Sequence, residues 1–232
     1  MPKASYFGRG TGTYREKARD VIANAEVYHA AYYRAETFGG PSLYFHRRAL
    51  SSRLPPGDKI HLEYVYATLA SWGMHRMGKG GSKMQNFSVF NRSICLLLPK
   101  IAEVQQYDVK EMKDDNWRVI KEIFQGIQVM ASGTSLVGNS KVMHHMMPNI
   151  VPPIDREYTL TYLHGNTNIK NDLESEWQIM KNIITEFFVP IVINDQFSER
   201  AKTWISSQDD SFPWDTSPLK VVDNLIIGSR KI

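Results

Sequence analysis

The chain is poor in several things that define common protein classes. Among its 232 residues there is one cysteine, Cys95. That excludes an internal disulfide, a cysteine-based zinc site and a protein-held iron–sulfur cluster. No run approaches the ~18 uninterrupted apolar residues of a membrane span, so no membrane partner is expected. The first ten residues, MPKASYFGRG, lack the apolar core of a secretory signal. A reducing, cytoplasmic setting is the expectation. Alternating apolar–polar runs of useful length are absent, as are repeats and low-complexity tracts. No Gly/Ser linker separates two halves. A 42% hydrophobic fraction with 11% aromatics argues against disorder.

Net charge is also small, +4, but unevenly distributed. Residues 1–100 carry 15 basic and 6 acidic side chains, a balance of +9, and residues 101–232 a balance of −5. Such asymmetry fits an acidic partner for the first part, and equally an ordinary solvated surface.

Most of the chain carries helical periodicity. One helix is predicted over 13–36, opened by a Thr13-x-x-Glu16 capping box. Others are predicted over 42–54, over 59–77 after an Asp58 cap, and over 87–105 with a bend at Pro99. Further helices are expected from Asp114 or Asp115 to about 131, after Asn139, after Asp155, over 171–193 with an interruption at Pro190, and over 198–206 and 216–227. The fold class is therefore all-α. One helical domain over 1–232 is expected, with sub-lobes 1–113 (basic) and 114–232 around a cleft.

The most informative segment runs from Ser132 through Leu136-Val137-Gly138-Asn139-Ser140-Lys141 to Val151-Pro152-Pro153-Ile154-Asp155. A glycine-containing turn opening a helix would leave the backbone N–H groups of residues 138–141 free to hold a phosphate, with Lys141 adding a cation. The two prolines would deliver Asp155 to a fixed place. Asp155 before Arg-Glu-Tyr is also a good helix N-cap, and the two roles are compatible. Arg156 could contact phosphate or form a surface pair. His144 and His145 show no metal-ligand spacing with a third partner, and no metal or cofactor is called for.

A second segment, Trp72-Gly73-Met74-His75-Arg76 followed by Gly78-Lys79-Gly80-Gly81-Ser82-Lys83, ends a helix in aromatic and basic groups and passes into a glycine-rich loop. The spacing is not that of a P-loop. Trp72 and His75 could line a base pocket, with Arg76, Lys79 and Lys83 on phosphates, or Trp72 could simply close a core. Upstream, Glu36, Phe38 and Tyr44, further candidates for the base pocket, lie in a stretch where aromatic and basic residues interleave, a pattern that suits a nucleic-acid groove as well as a half-buried helix.

The segment from about 118 to 163 resembles the helix-hairpin-helix DNA glycosylase superfamily. Leu136-Val137-Gly138 stands where the hairpin would be, and Pro153-Ile154-Asp155 stands where the proline-containing element with the catalytic Asp would be. The hairpin has one glycine where the family usually has two, and Lys141 lies 14 residues before Asp155. The resemblance implies a DNA glycosylase that flips a modified base out of duplex DNA and hydrolyses its glycosidic bond, with Asp155 as the catalytic carboxylate. It also implies Lys141 as either a phosphate contact, the simpler reading, or a nucleophile. Among such enzymes are phage-defence glycosylases that remove glucosylated cytosine from viral DNA. A monomer acting on double-stranded DNA is expected. A non-catalytic nucleic-acid-binding module and an α-helical interaction scaffold are the alternatives.

Overall fold

The computed structural model describes residues 13–37, 39–51, 54–75, 83–132, 134–207 and 211–232. Phe38, Arg76, Lys79 and most of the glycine-rich loop lie outside these residues. The described residues are mainly helical, as expected, and hold no strand. An isolated bridge pairs Met84 with Met130, so residues 127–131 are extended where helix was expected. The helices are α1 (Tyr14–Ala23), α2 (Ala25–Ala35), α3 (Gly40–Ser51), α4 (Lys59–Leu69), α5 (Phe87–Val104), α6 (Asp114–Gly126), α7 (Ser135–Met146), α8 (Thr161–His164), α9 (Leu173–Ile183), α10 (Val189–Val192), α11 (Asp195–Ile205) and α12 (Pro218–Ser229).

Local chemistry sets their ends. The Thr13–Glu16 capping box forms, and Asp58 accepts from the backbone of Ile60 and His61 at the start of α4. The helix expected over 13–36 is broken at Asn24, whose side-chain amide donates to the Asp20 carbonyl and carboxylate instead of leaving the ladder undisturbed. The helix expected to reach Met77 stops as α4 and a wide turn over Ala70–Met74, because Gly73 takes φ +76°. Pro99 lies inside α5, which runs through it from Phe87 to Val104 without restarting. Pro99 and Cys95, the residue whose carbonyl loses its N–H partner, are both exposed, so water replaces the lost bond. Pro190 is accommodated differently. A wide turn over Ile184–Phe188 precedes it and places it in the first turn of α10.

A single buried apolar cluster takes residues from each of α1–α12. α7 lies at its centre, with Leu136 through Met146 all buried. α12 crosses α2 at Gly228. A Cβ there would fall on the Tyr28 carbonyl oxygen and 3.1 Å from the Tyr32 Cβ. That close approach brings the exposed end of α2 beside α12. Among the described residues no helix is long and apolar enough to cross a membrane.

Because the obstacle at Gly228 is backbone, relaxation requires moving a whole helix. Gly228→Ala is expected to destabilise the fold by ~1–3 kcal/mol, read as a lowered Tm. An equal or raised Tm would show that α2 and α12 have slack where they cross.

Candidate active site

α7 begins with Thr134 as N-cap. Its first turn does not present free amides to solvent. The Leu136 N–H donates to Glu176 Oε2 at 2.5 Å, and Glu176, from α9, is itself buried. Burial raises the Glu176 carboxyl above its ordinary range, opposed by the Leu136 and Ser135 amides. The anion site of this helix is thus occupied by the protein's own carboxylate.

The expected phosphate contacts are corrected accordingly. Gly138, Asn139 and Ser140 are interior residues of α7, not a turn. A Cβ at Gly138 would lie 2.7 Å from Met130 Cγ. Asn139 Nδ2 donates to the Phe124 carbonyl at 2.8 Å, and Ser140 Oγ accepts from Ile154 N at 3.1 Å. These three fasten α7 to the end of α6 and to the proline segment. The Asn139 Oδ1 atom is buried without a hydrogen-bond partner among the described residues, and with all three residues buried inside α7 they do not present a phosphate-binding turn at the surface.

Lys141 follows Ser140 directly in α7, and its side chain lines a cavity of about 220 Å³. Its Nζ donates to Asp155 Oδ2 at 3.0 Å, with only 6% of the Lys141 side chain and 29% of the Asp155 side chain exposed. The ammonium also lies 5.3 Å from the centre of the Trp72 ring. Val151–Ile154 form the buried extended segment that delivers Asp155. Asp155 divides its work between two oxygens: Oδ1 accepts from the Glu157 and Tyr158 amides at 2.8 and 3.2 Å, and Oδ2 takes Lys141. Burial alone would push its pKa up. The Lys141 ammonium and the two amides reverse that and hold it below the usual carboxylate value. Cap and ion-pair partner are one residue.

Tyr32, Glu36, Trp72, Pro153, Tyr158, Trp214, Lys220, Asp223 and Ile227 complete the lining. The structure therefore brings together Lys141, Asp155, Trp72 and Glu36 from the expected site. His75 and Lys83 are exposed and do not line the cavity, and Tyr44 is 56% exposed against Phe45. Their assignment to a base pocket or phosphate contact finds no support at this cavity. Arg156 is exposed and bonds Thr134 Oγ1 at 2.6 Å rather than an acidic side chain.

Sequence reasoning passed over Trp214, Lys220 and Asp223. The signal available was compositional. Leu219, Val221, Val222, Leu225 and Ile226 make α12 apolar almost all round, and Lys220, Asp223 and Asn224 are buried within it. Charges inside an apolar helix seldom occur without a partner.

Behind Lys141 lies a row of neutral histidines. His145 Nδ1 bonds the Lys141 carbonyl at 2.7 Å, so it carries the proton. Its Nε2 then accepts from His46 Nδ1 at 3.0 Å, leaving His46 Nε2 to accept from Thr216 Oγ1 at 3.0 Å. Burial holds His46, His144 and His145 below the ordinary histidine value, His145 at about 4. Among the described residues no group of three or more His, Cys, Asp or Glu could hold a metal ion.

No family model, curated protein or solved structure matches the chain. The chemistry of the cavity therefore bears the weight of the functional reading.

The buried histidines set a pH dependence. Their folded pKa values lie below the unfolded ~6.5. As pH falls through 6.5 the unfolded chain takes up protons that the native state does not, so stability declines toward acid by up to about 1.4 kcal/mol per pH unit for each such histidine. Tm measured from pH 7.5 to 5 is expected to fall steadily. A flat profile would mean that these rings take up protons alike in the folded and unfolded chain.

Proposed function

We propose that the protein is a DNA glycosylase that hydrolyses the glycosidic bond of a modified base flipped from duplex DNA, with Asp155 as the carboxylate that faces the sugar. The observation that carries this reading is the Lys141–Asp155 pair, a buried lysine against a partly exposed carboxylate, lining a cavity beside the Trp72 indole. Departure of a base leaves positive charge on the sugar, and a fixed anion lowers the energy of that state. Asp155 is held as an anion and cannot swing away, because both of its oxygens are bonded. It can also take a proton from an attacking water. Trp72 and Trp214 supply flat apolar faces against which a base extracted from the stack is retained.

Lys141 is a holding group in this scheme. Buried against Asp155, it does not sit on the surface where a phosphate contact would lie. The cavity of about 220 Å³ is smaller than the ~300–1,000 Å³ typical of drug-sized ligand sites, and suits one ring system. For a glucosylated cytosine of phage DNA, our preferred substrate, one ring would enter and the other would rest at the mouth beside Glu36. The enzyme would act as a monomer, with the residues before and after position 113 forming the two sides of the cleft.

The test is incubation with a panel of normal and virus-modified duplex DNAs, scored for abasic sites. Excision from at least one modified DNA is expected, and Asp155→Asn should slow it by ~10²–10⁴-fold while DNA affinity is retained. Unchanged excision in that variant would remove Asp155 from the mechanism. Absence of DNA binding at low salt would remove a nucleic-acid role altogether.

Borohydride reduction during turnover distinguishes the holding role of Lys141 from attack on the sugar carbon. No covalent adduct is expected. An adduct that disappears in Lys141→Gln would make it the attacking amine.

A further inference from the structure

The cavity contains a second buried ion pair that the scheme above does not use. Lys220 Nζ donates to Asp223 Oδ2 at 2.8 Å, with 4% and 7% of the two side chains exposed. It also donates to Asn224 Oδ1 and lies 5.7 Å from the centre of the Trp214 ring. A further shell holds these partners. The Asn224 amide bonds Asp215 Oδ1 at 2.8 Å and the Trp214 carbonyl at 3.3 Å, and Asp215 Oδ2 meets His29 Nε2 at 2.7 Å.

Packing does not require this arrangement. Desolvating two charges costs several kcal/mol per ion, and apolar side chains of similar volume are often as stable or more so. α12 is already apolar around these residues. What distinguishes Lys220 and Asp223 is that both line the same cavity as Lys141 and Asp155. The two pairs also sense each other. Burial raises the Asp223 carboxyl, Lys220 lowers it, and the charge on Asp155 raises it again while Lys141 lowers it.

We infer that Lys220 is the proton donor to the departing base, and that Asp223 and Asn224 are positioning residues that aim its ammonium. This rests on the glycosylase reading above. In the step, water oxygen bonds to the sugar carbon C1′ and its proton passes to Asp155. The C1′–N bond breaks and its electron pair stays on the base. The base takes a proton from Lys220, leaving a neutral amine. Lys220 then regains a proton from solvent and Asp155 releases one. One water is consumed, and a free base and a sugar hydroxyl are formed. The two ion pairs thus divide the glycosidic bond between them, Asp155 on the sugar side and Lys220 on the base side.

The division predicts a dependence on leaving group. Single-turnover excision is measured for the modified base removed in the panel and for an analogue whose ring carries an electron-withdrawing substituent, which departs more easily as an anion. Lys220→Met should slow the parent base by ~10²–10⁴-fold and the analogue by less than about tenfold. Lys220→Arg keeps the charge and the length but does not give up its proton near neutrality. It should slow the parent base in the same selective way. It also carries the test if the Met variant does not fold. Equal slowing of both substrates would reduce Lys220 to a structural role and overturn the assignment while leaving Asp155 in place. If the unaltered protein excises no base from any DNA in the panel, the glycosylase reading fails and this assignment falls with it.

Discussion

The bond between Lys141 and Asp155 governs the arrangement of the site. It joins the middle of the central helix to the start of the next helical segment, and it is made where solvent cannot readily compete. A lysine buried this deeply without its carboxylate would be costly, and so would the carboxylate without its lysine. The surrounding contacts keep the two together. Ser140 holds the proline segment, the prolines hold Asp155, and the Glu157 and Tyr158 amides fix the oxygen that Lys141 does not use. Trp72 and the histidine row close the space behind. The site's geometry follows from packing made elsewhere, which is how a cavity keeps a fixed charge without rearranging around a ligand.

Much of the helical framework was legible from caps and periodicity. Thr13, Asp58 and Asp155 cap where their side chains suggested. Chain breaks were harder to read, because they depend on competition that periodicity does not register. Asn24 prefers its own local bonds, Gly73 takes a left-handed turn, and a wide turn accommodates Pro190. In the candidate site, Asp155 and Lys141 were legible because prolines, glycine and charge cluster within a short stretch. The hairpin was not what that cluster forms. Asn139 and Ser140 are turn-prone residues, yet inside a fully buried helix their polar groups find carbonyls and amides of neighbouring segments. The α12 contribution was hidden by distance. Nothing in residues 214–224 reveals that they meet Lys141 until α2 and α12 are packed.

The uneven charge also takes on a different meaning. Glu36, Asp155 and Asp223 line the cavity together with Lys141 and Lys220, so the interior of the site is a mixed set of opposed charges and not a basic surface. Among the described residues of the first hundred, no lysine or arginine belongs to that lining. The part these described cations take in holding an acidic partner is played outside the cavity, on surfaces that salt screens.

The crossing of α2 and α12 at Gly228 has a consequence for the order of events in synthesis. Lys141 and Asp155 are translated well before residue 217, but one wall of the cavity belongs to α12. Lys220, Asp223 and Ile227 complete the lining only where α12 lies on the α2 backbone. A chain that stops before α12 therefore holds both members of the first ion pair in its sequence and lacks the wall that encloses them.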